Sequence, residues 1–597
     1  MKRFAQTCAL TASLLAGLPL RAATLTYDSG ETETEAIFNS LAEGDRLEML
    51  NAGTKVTSIC TTDDLVTKND VSILIDGGYL EKVIAGRGAA AGLCSTLGVT
   101  GLRLDIRNGG TYCAVSQDTT RPGLFRFGGT GSQICVDGGS LLFGEITEYA
   151  WGSGFGNARD CTIALTNAAM NAFVFKFGLA KNPATGCRLL VHNSTFDMVV
   201  PSLTPQYTAR RYFQWLEGYS VSNEMVVSGS SAAKGFSTFE MNGKWDRLRI
   251  QDEAVCTMPI GMGGFSNVVE MAGGTCSASK CTIGGQGNRL ALSGGSLLTG
   301  ASGVLTVTGR GNLVRQTGGT YAGKGGVSLG GADNRYEYVA GEMKQALTLT
   351  GTNVCNAIGA NLDGGRVVFA DAAVDCRCEL DACWTNTASV SGVSLGGSNS
   401  VFVLKAGSEY RTPGDNNLIS FFNRANSRLV ISNATYTIDG RICVGNGNVD
   451  SFNWTNCPNA AIEFRGTNPL MRCVSTPNYK AWVIGTEDGL PLKDPVHFKF
   501  VLPKAGYAAA PMQNQVSNRG ARLFGNAVFE IDAGEFEGFG RVPLFYTAGG
   551  WREMTMTQEI IDRLNERAIL PSGWKLVWDG AKTIYAQRSG GMMLSIR

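Results

Sequence analysis

Between Asn267 and Tyr321 the chain writes nearly the same line three times. Asn267-Val-Val-Glu-Met-Ala-Gly-Gly-Thr-Cys is followed by Asn288-Arg-Leu-Ala-Leu-Ser-Gly-Gly-Ser-Leu, then by Asn312-Leu-Val-Arg-Gln-Thr-Gly-Gly-Thr-Tyr. The steps are 288 − 267 = 21 and 312 − 288 = 24 residues. Take each asparagine as position zero. Positions two and four are apolar (Val269 and Met271, Leu290 and Leu292), whereas one, three and five vary. That is the period of a strand with one buried face. Gly-Gly at six and seven allows a sharp corner, and position nine is apolar again (Leu297, Tyr321). A coil this short cannot bury its own apolar face, so successive copies must stack.

The same register runs along most of the chain. Ile73 and Ile75 precede Gly77-Gly78, Ile134 and Val136 precede Gly138-Gly139, and Leu189 and Val191 precede Asn193-Ser194. Further pairs are Ile163 and Leu165, Met225 and Val227, Leu248 and Ile250, and Tyr336 and Tyr338. Leu429 and Ile431, Ile462 and Phe464, and Phe529 and Ile531 continue it, while between Ala340 and Lys405 no register is followed. Small residues and those tolerant of left-handed angles occupy the corners. The expected fold is therefore all-β, a right-handed parallel β-helix with three faces over residues 70–540. It has a short N-terminal cap over 23–69 and a C-terminal cap over 541–597. About 17 coils at about 4.8 Å each give a rod of about 80 Å.

A compact chain of 597 residues would normally divide into domains; a rod escapes that limit by growing in one dimension. Its 78 glycines and 17% charged residues suit short strands and corners. A net charge of +1 makes no electrostatic case for nucleic acid or an acidic membrane.

The ends differ from the middle. Lys2-Arg3, an apolar run from Ala9 to Leu20 and Ala22-Ala23 read as a signal peptide over residues 1–22, implying export. Cys8 falls within it, which leaves sixteen of the 17 cysteines in an oxidising setting. No later apolar run is long enough to span a membrane. Glu35 to Leu50 mixes a short helical pattern with Gly44-Asp45, as a cap over the open core would. Near the other end, Thr555-Met-Thr-Gln558 reads as a capping box before the helical stripe Ile560, Ile561, Leu564 and Ala568. Trp574 to Trp578 and Thr583 to Tyr585, joined through Asp579-Gly580, read as a hairpin, and Met592 to Ile596 as a last strand.

These repeats, with the leader and the hairpin cap, resemble bacterial exported β-helix proteins of the pectin lyase-like and autotransporter passenger-like kind. The resemblance covers about residues 70–540 and is architectural. It implies polysaccharide lyases and hydrolases or adhesins, and it does not choose among them.

Chemistry on such a rod needs side chains converging on an outward row. Position five reads Asp76, Arg107, Asp137, Thr166, His192, Ser228 and Gln251, and position three sets Arg249 beside Glu270 and Arg315 beside Glu337. Opposite charges next to each other make ion ladders, whereas glycosidase and calcium sites need clustered carboxylates. The Asn-Thr-Asp, paired Asp, Gly-His-Gly and Arg-Ile-Lys set of polygalacturonases is missing. His192 and His497 are the only histidines and read as surface or packing residues. Gly284 to Arg289 resembles half of a calcium-binding nonapeptide, with Arg289 where an aspartate ligand belongs. Cys376, Cys378 and Cys383 match no common zinc spacing. No cofactor and no metal site is expected. Cys161 and Cys187, both at position zero of consecutive coils (187 − 161 = 26), predict a disulfide, because about 4.8 Å between rungs falls within its Cα range.

The step from Asn193 to Gly229 is 36 residues, and it contains Pro201 to Ser220 (PSLTPQYTARRYFQWLEGYS). Tyr207, Arg210, Arg211, Tyr212 and Trp215 make this the candidate binding loop, stacking sugar rings or gripping a partner. The alternative is a loop that packs its aromatics against the rod. Trp151 and Phe155 are a second candidate. Two functions follow. One is a non-catalytic, exported rod for binding, adhesion or display, with a glycan or a cell-surface or matrix component as partner. The other is a polysaccharide-cleaving enzyme, a lyase or glycoside hydrolase, on the same scaffold.

Overall fold

In the computed structural model the alternation seen in the sequence becomes one continuous stack of coils. The structure describes residues 22–589 apart from 35–40, 61–65, 85–92, 95–97, 117–124, 144–152, 173, 180, 199–210, 301–302, 324–325, 344–346, 360–361, 387–390, 422–424, 446–456, 476–479, 486–490 and 552–555. The coils together build three faces, and the chain is an all-β parallel β-helix. The first face runs as an unbroken parallel ladder from Thr24–Tyr27 to Val528–Asp532. The second begins with Glu31–Thr34 on Lys55–Cys60, and the third with Arg126–Thr130 on Ser153–Arg159. Every pair read at positions two and four points inward and is buried, from Ile73 and Ile75 to Phe529 and Ile531.

The asparagine at position zero has a structural task. Asn288 Oδ1 accepts the backbone N–H of Asn267 at 2.8 Å, while its Nδ2 donates to the carbonyls of Gly264 (2.9 Å) and Gly284 (2.7 Å). Asn312 does the same for Asn288, and Asn334 for Asn312, each at 2.8 Å. A buried amide thus satisfies corner groups that no strand pairing reaches. Asn288→Ala leaves the buried N–H of Asn267 unpaired, and a loss of roughly 1–3 kcal/mol is expected. A urea melt indistinguishable from the native one would contradict this role. The Gly-Gly corner is equally constrained: Gly295 has φ +67°, and a Cβ there would lie 2.3 Å from the Gly273 carbonyl oxygen.

The ends correct two expectations. Residues 23–69 carry rungs of the ladder, with Thr24–Tyr27 parallel to Arg46–Leu50 and that strand parallel to Ser72–Asp76. The helical pattern drawn to Leu50 gives way at Arg46, because Leu47 and Met49 alternate into the core. At the other end the helix Gln558–Arg567, the only one among the described residues, is capped by Thr557, whose side chain accepts from the Ile560 N–H, while Thr555, where the capping box was expected to begin, lies outside the described residues. Ile561 and Leu564 are buried beneath it. The hairpin forms as expected between Trp574–Trp578 and Thr583–Arg588. Its second strand pairs antiparallel with Arg541–Thr547, which ends parallel growth on that edge. The last strand expected over 592–596 lies outside the described residues. No helix among the described residues is long and apolar enough to cross a membrane.

Candidate functional site

The loop singled out in the sequence divides into three parts. Tyr207 and Arg210 lie outside the described residues, as does Trp151. Tyr212–Trp215 is a strand of the third face, paired with Val174–Phe177 on one side and Thr238–Met241 on the other. Trp215 is fully buried, stacked on Phe177 with ring centroids 5.2 Å apart and planes 5° from parallel. Phe155 is buried in the same column, 4.9 Å from Phe177. Trp215 therefore belongs to the core rather than to a binding surface: alternation along Tyr-Phe-Gln-Trp sends Phe213 and Trp215 inward together. Arg211 is half-buried, its backbone N–H donating to Ser237 Oγ at 2.9 Å.

The other expectations sort by geometry. Arg107 donates through Nε and a terminal nitrogen to Asp76 Oδ2 (2.9 and 2.7 Å), Arg249 pairs with Glu270 (3.1 Å), and Arg315 with Glu337 (3.4 Å), so the rows are ion ladders where charges meet. Asn108 and Arg107 beside it hold the Asp76 carboxyl below the usual range. His192 hydrogen-bonds Ser228 at 3.1 Å, and His497 lies 3.4 Å from Glu530. Cys376 and Cys378 are buried while Cys383 is exposed. Cys161 and Cys187 occupy neighbouring rungs as unbridged thiols, which corrects the expected disulfide. Their sulfurs turn toward backbone carbonyls, Cys161 toward Gly129 (3.3 Å) and Cys187 toward Thr185 (3.6 Å). Burial pushes the Cys187 thiol up, and the Cys187 hydrogen bond brings Cys161 down.

A different residue stands out. The chain turns from the third face to the first just before position zero. On every rung from Gly44 to Asn459 the residue at this turn has positive φ, for example Asp160 (54°), Gly186 (67°), Ser222 (55°), Ser266 (54°) and Gly287 (68°). Glycine, aspartate, asparagine or serine fills it on all rungs but one. The exception is Trp245, at φ +57° with 55% of its surface exposed. A bulky side chain in this region costs roughly 1–2 kcal/mol, and the exposed indole repays little of that through burial. Backbone outliers of this kind collect at functional sites. Phe265, 39% exposed on the next rung, meets it edge to face with centroids 6.4 Å apart.

Trp245 walls a concavity of about 400 Å³ that Asp160, Arg188, Glu224 and Arg247 also line. Glu224 lies between Arg188 (4.0 Å) and Arg249 (3.8 Å), as part of an ion ladder. Arg188 and Arg247 belong to position one of the first face, where the rungs read Arg188, Glu224, Arg247, Val268, Arg289, Leu313, Arg335, Cys355, Arg377, Val401 and Arg428. Arginine returns on every second rung. A flat exposed indole beside guanidinium and carboxylate groups can stack a sugar ring and hydrogen-bond its hydroxyls. Among the described residues no three histidine, cysteine or acidic side chains are placed to hold a metal ion.

The sequence carried a signal for Trp245. Gly243-Lys-Trp-Asp246 aligns with Gly264-Phe-Ser-Asn267, Gly285-Gln-Gly-Asn288 and Gly309-Arg-Gly-Asn312, so tryptophan stands where the repeat puts serine or glycine. No protein-family model, curated protein or solved structure matches this chain.

Proposed function

We propose that the protein is an exported, non-catalytic binding rod whose ligand is a glycan, held at the Trp245 corner. The observation that carries this reading is an exposed tryptophan in a left-handed conformation, at a turn that otherwise takes only small or turn-forming residues. Packing does not account for it, whereas a sugar face does. Lys2-Arg3 and the apolar run to Leu20 support export of the pectin lyase-like or passenger-like kind. The second reading, glycan cleavage, draws on Asp160 and Glu224 lining the same concavity. The ladder position of Glu224 between two arginines favours binding.

A glycan array probed with the native protein and with Trp245→Asn tests the proposal. The native protein is expected to retain a restricted set of glycans and the variant to lose them, by about 2 kcal/mol or more, the scale of an interface hot spot. Equal binding by both removes the corner from the account. New reducing ends or unsaturated sugars released from a bound glycan, and lost in Glu224→Gln, would establish cleavage instead.

A further inference from the structure

Resting on the glycan reading, we infer that the ridge carrying Arg247 and Arg289 takes a linear acidic polysaccharide carrying one anion per disaccharide, laid along the rod axis. In-register pairing puts these arginines two rungs apart, about 9.6 Å at about 4.8 Å per rung. An extended chain of pyranose rings advances by close to one rung per sugar, so every second sugar meets a guanidinium.

Alternation alone has a simple cause, since like charges on adjacent strands repel. What distinguishes this stretch is what surrounds the arginines. Farther along, Arg335 pairs with Glu337 and Arg377 with Glu379, with Asp333 and Asp375 at their corners. Arg247 and Arg289 are exposed, and no ion pair reaches either among the described residues. Their corners carry Trp245 and Gly287, with Ser266 between, so these three corner positions hold no acid. Trp245 is in position to stack one sugar while Arg247 on its own rung holds the neighbouring anion. The spacer rungs select further: Glu224 repels an anion placed beside it, and Val268 offers it no donor. A polymer charged on every sugar would set an anion against both.

Calorimetry of the full chain with three oligosaccharide probes tests this: hyaluronan (alternating uronate and N-acetylhexosamine), polygalacturonate (charged on every sugar) and a neutral β-linked glucan. Hyaluronan is expected to bind best and to weaken as salt rises. The double variant Arg247→Gln, Arg289→Gln should bind it at least about tenfold more weakly. Both side chains are exposed, and an unchanged melting curve checks that the variant folds. Tighter binding of polygalacturonate or of the neutral glucan, or a double variant that binds hyaluronan like the native protein, overturns the inference. Inorganic polyphosphate bound equally well, with the same loss in the double variant, overturns it too, by making the ridge an unselective anion surface. If the neutral glucan binds and only Trp245→Asn abolishes it, this inference falls while the glycan reading stands. If no carbohydrate binds the native protein, the glycan reading itself falls.

Discussion

Trp215→Ala is expected to destabilise the rod by about 3–5 kcal/mol, the range for removing a large aromatic from a packed core. Trp215 stacks on Phe177 at 5.2 Å and meets Phe213 and Phe239 edge to face at 4.8 and 5.1 Å. The neighbouring column repeats the arrangement, with Phe175 on Phe213 at 5.3 Å and Phe213 on Phe239 at 5.0 Å. Stacks close so neatly because the rung spacing, about 4.8 Å, is also near the favoured separation of aromatic rings. The Trp215 indole N–H finds no acceptor among the described residues, so the loss is one of packing. A thermal or urea melt should show the shift, with glycan binding of the folded variant unchanged. A native-like melt with lost binding would return Trp215 to the surface role the sequence suggested.

Asp246→Asn is expected to act in the opposite direction, and only above acid pH. Asp246 replaces an asparagine in the buried ladder. Its Oδ1 accepts the Asn223 N–H at 2.9 Å and its Oδ2 accepts from Ser220 Oγ at 2.9 Å. Burial pushes its carboxyl up to about 7, from 3.8. A folded-state value above the unfolded one means that the native protein holds the proton more tightly. The stabilisation is complete below about 3.8 and is lost as pH rises through about 7. The rise corresponds to roughly 4 kcal/mol at most. Asparagine is neutral at every pH, and its Oδ1 can accept from Asn223 as Asn267 Oδ1 does from Asp246 at 2.9 Å. The Ser220 hydroxyl can rotate to accept from the new amide. Melts at about pH 3.5 and about pH 8 should therefore show the variant close to the native protein at the lower pH and more stable at the higher. A variant less stable than the native protein at pH 8 would mean that the carboxylate is needed as an ion.

The parts of this structure that were plain in the sequence are those that period two dictates. Each apolar pair at positions two and four lies in the core, and Asp76, Arg107, Asp137, Thr166, His192 and Ser228 stand in one row as read. Where the marker residue changes, the reading stops. Val354, Cys376, Ser400 and Ser427 hold position zero on consecutive rungs, and Asn356 takes an inward position normally apolar. The geometry persists there because small or apolar side chains also fit, but the letters no longer repeat. Trp215 was offered as a binding residue, with packing as the alternative, for a related reason: four letters, Tyr212–Trp215, are too few to reveal alternation. Trp245 was missed because its importance appears only when one column is compared across rungs, where backbone angle and side chain disagree.

On the glycan reading, Trp245 is kept for a ligand although it strains the local conformation. The most direct measurement takes Trp245→Asn, the residue type used at the Asn353 and Asn399 turns, and follows its melting temperature and its affinity for a glycan retained by the native protein. A melting temperature unchanged or raised is expected, because asparagine tolerates φ near +57°, together with binding at least about tenfold weaker. A variant that melts early and, once folded, binds as the native protein does would make Trp245 a packing residue with no part in binding.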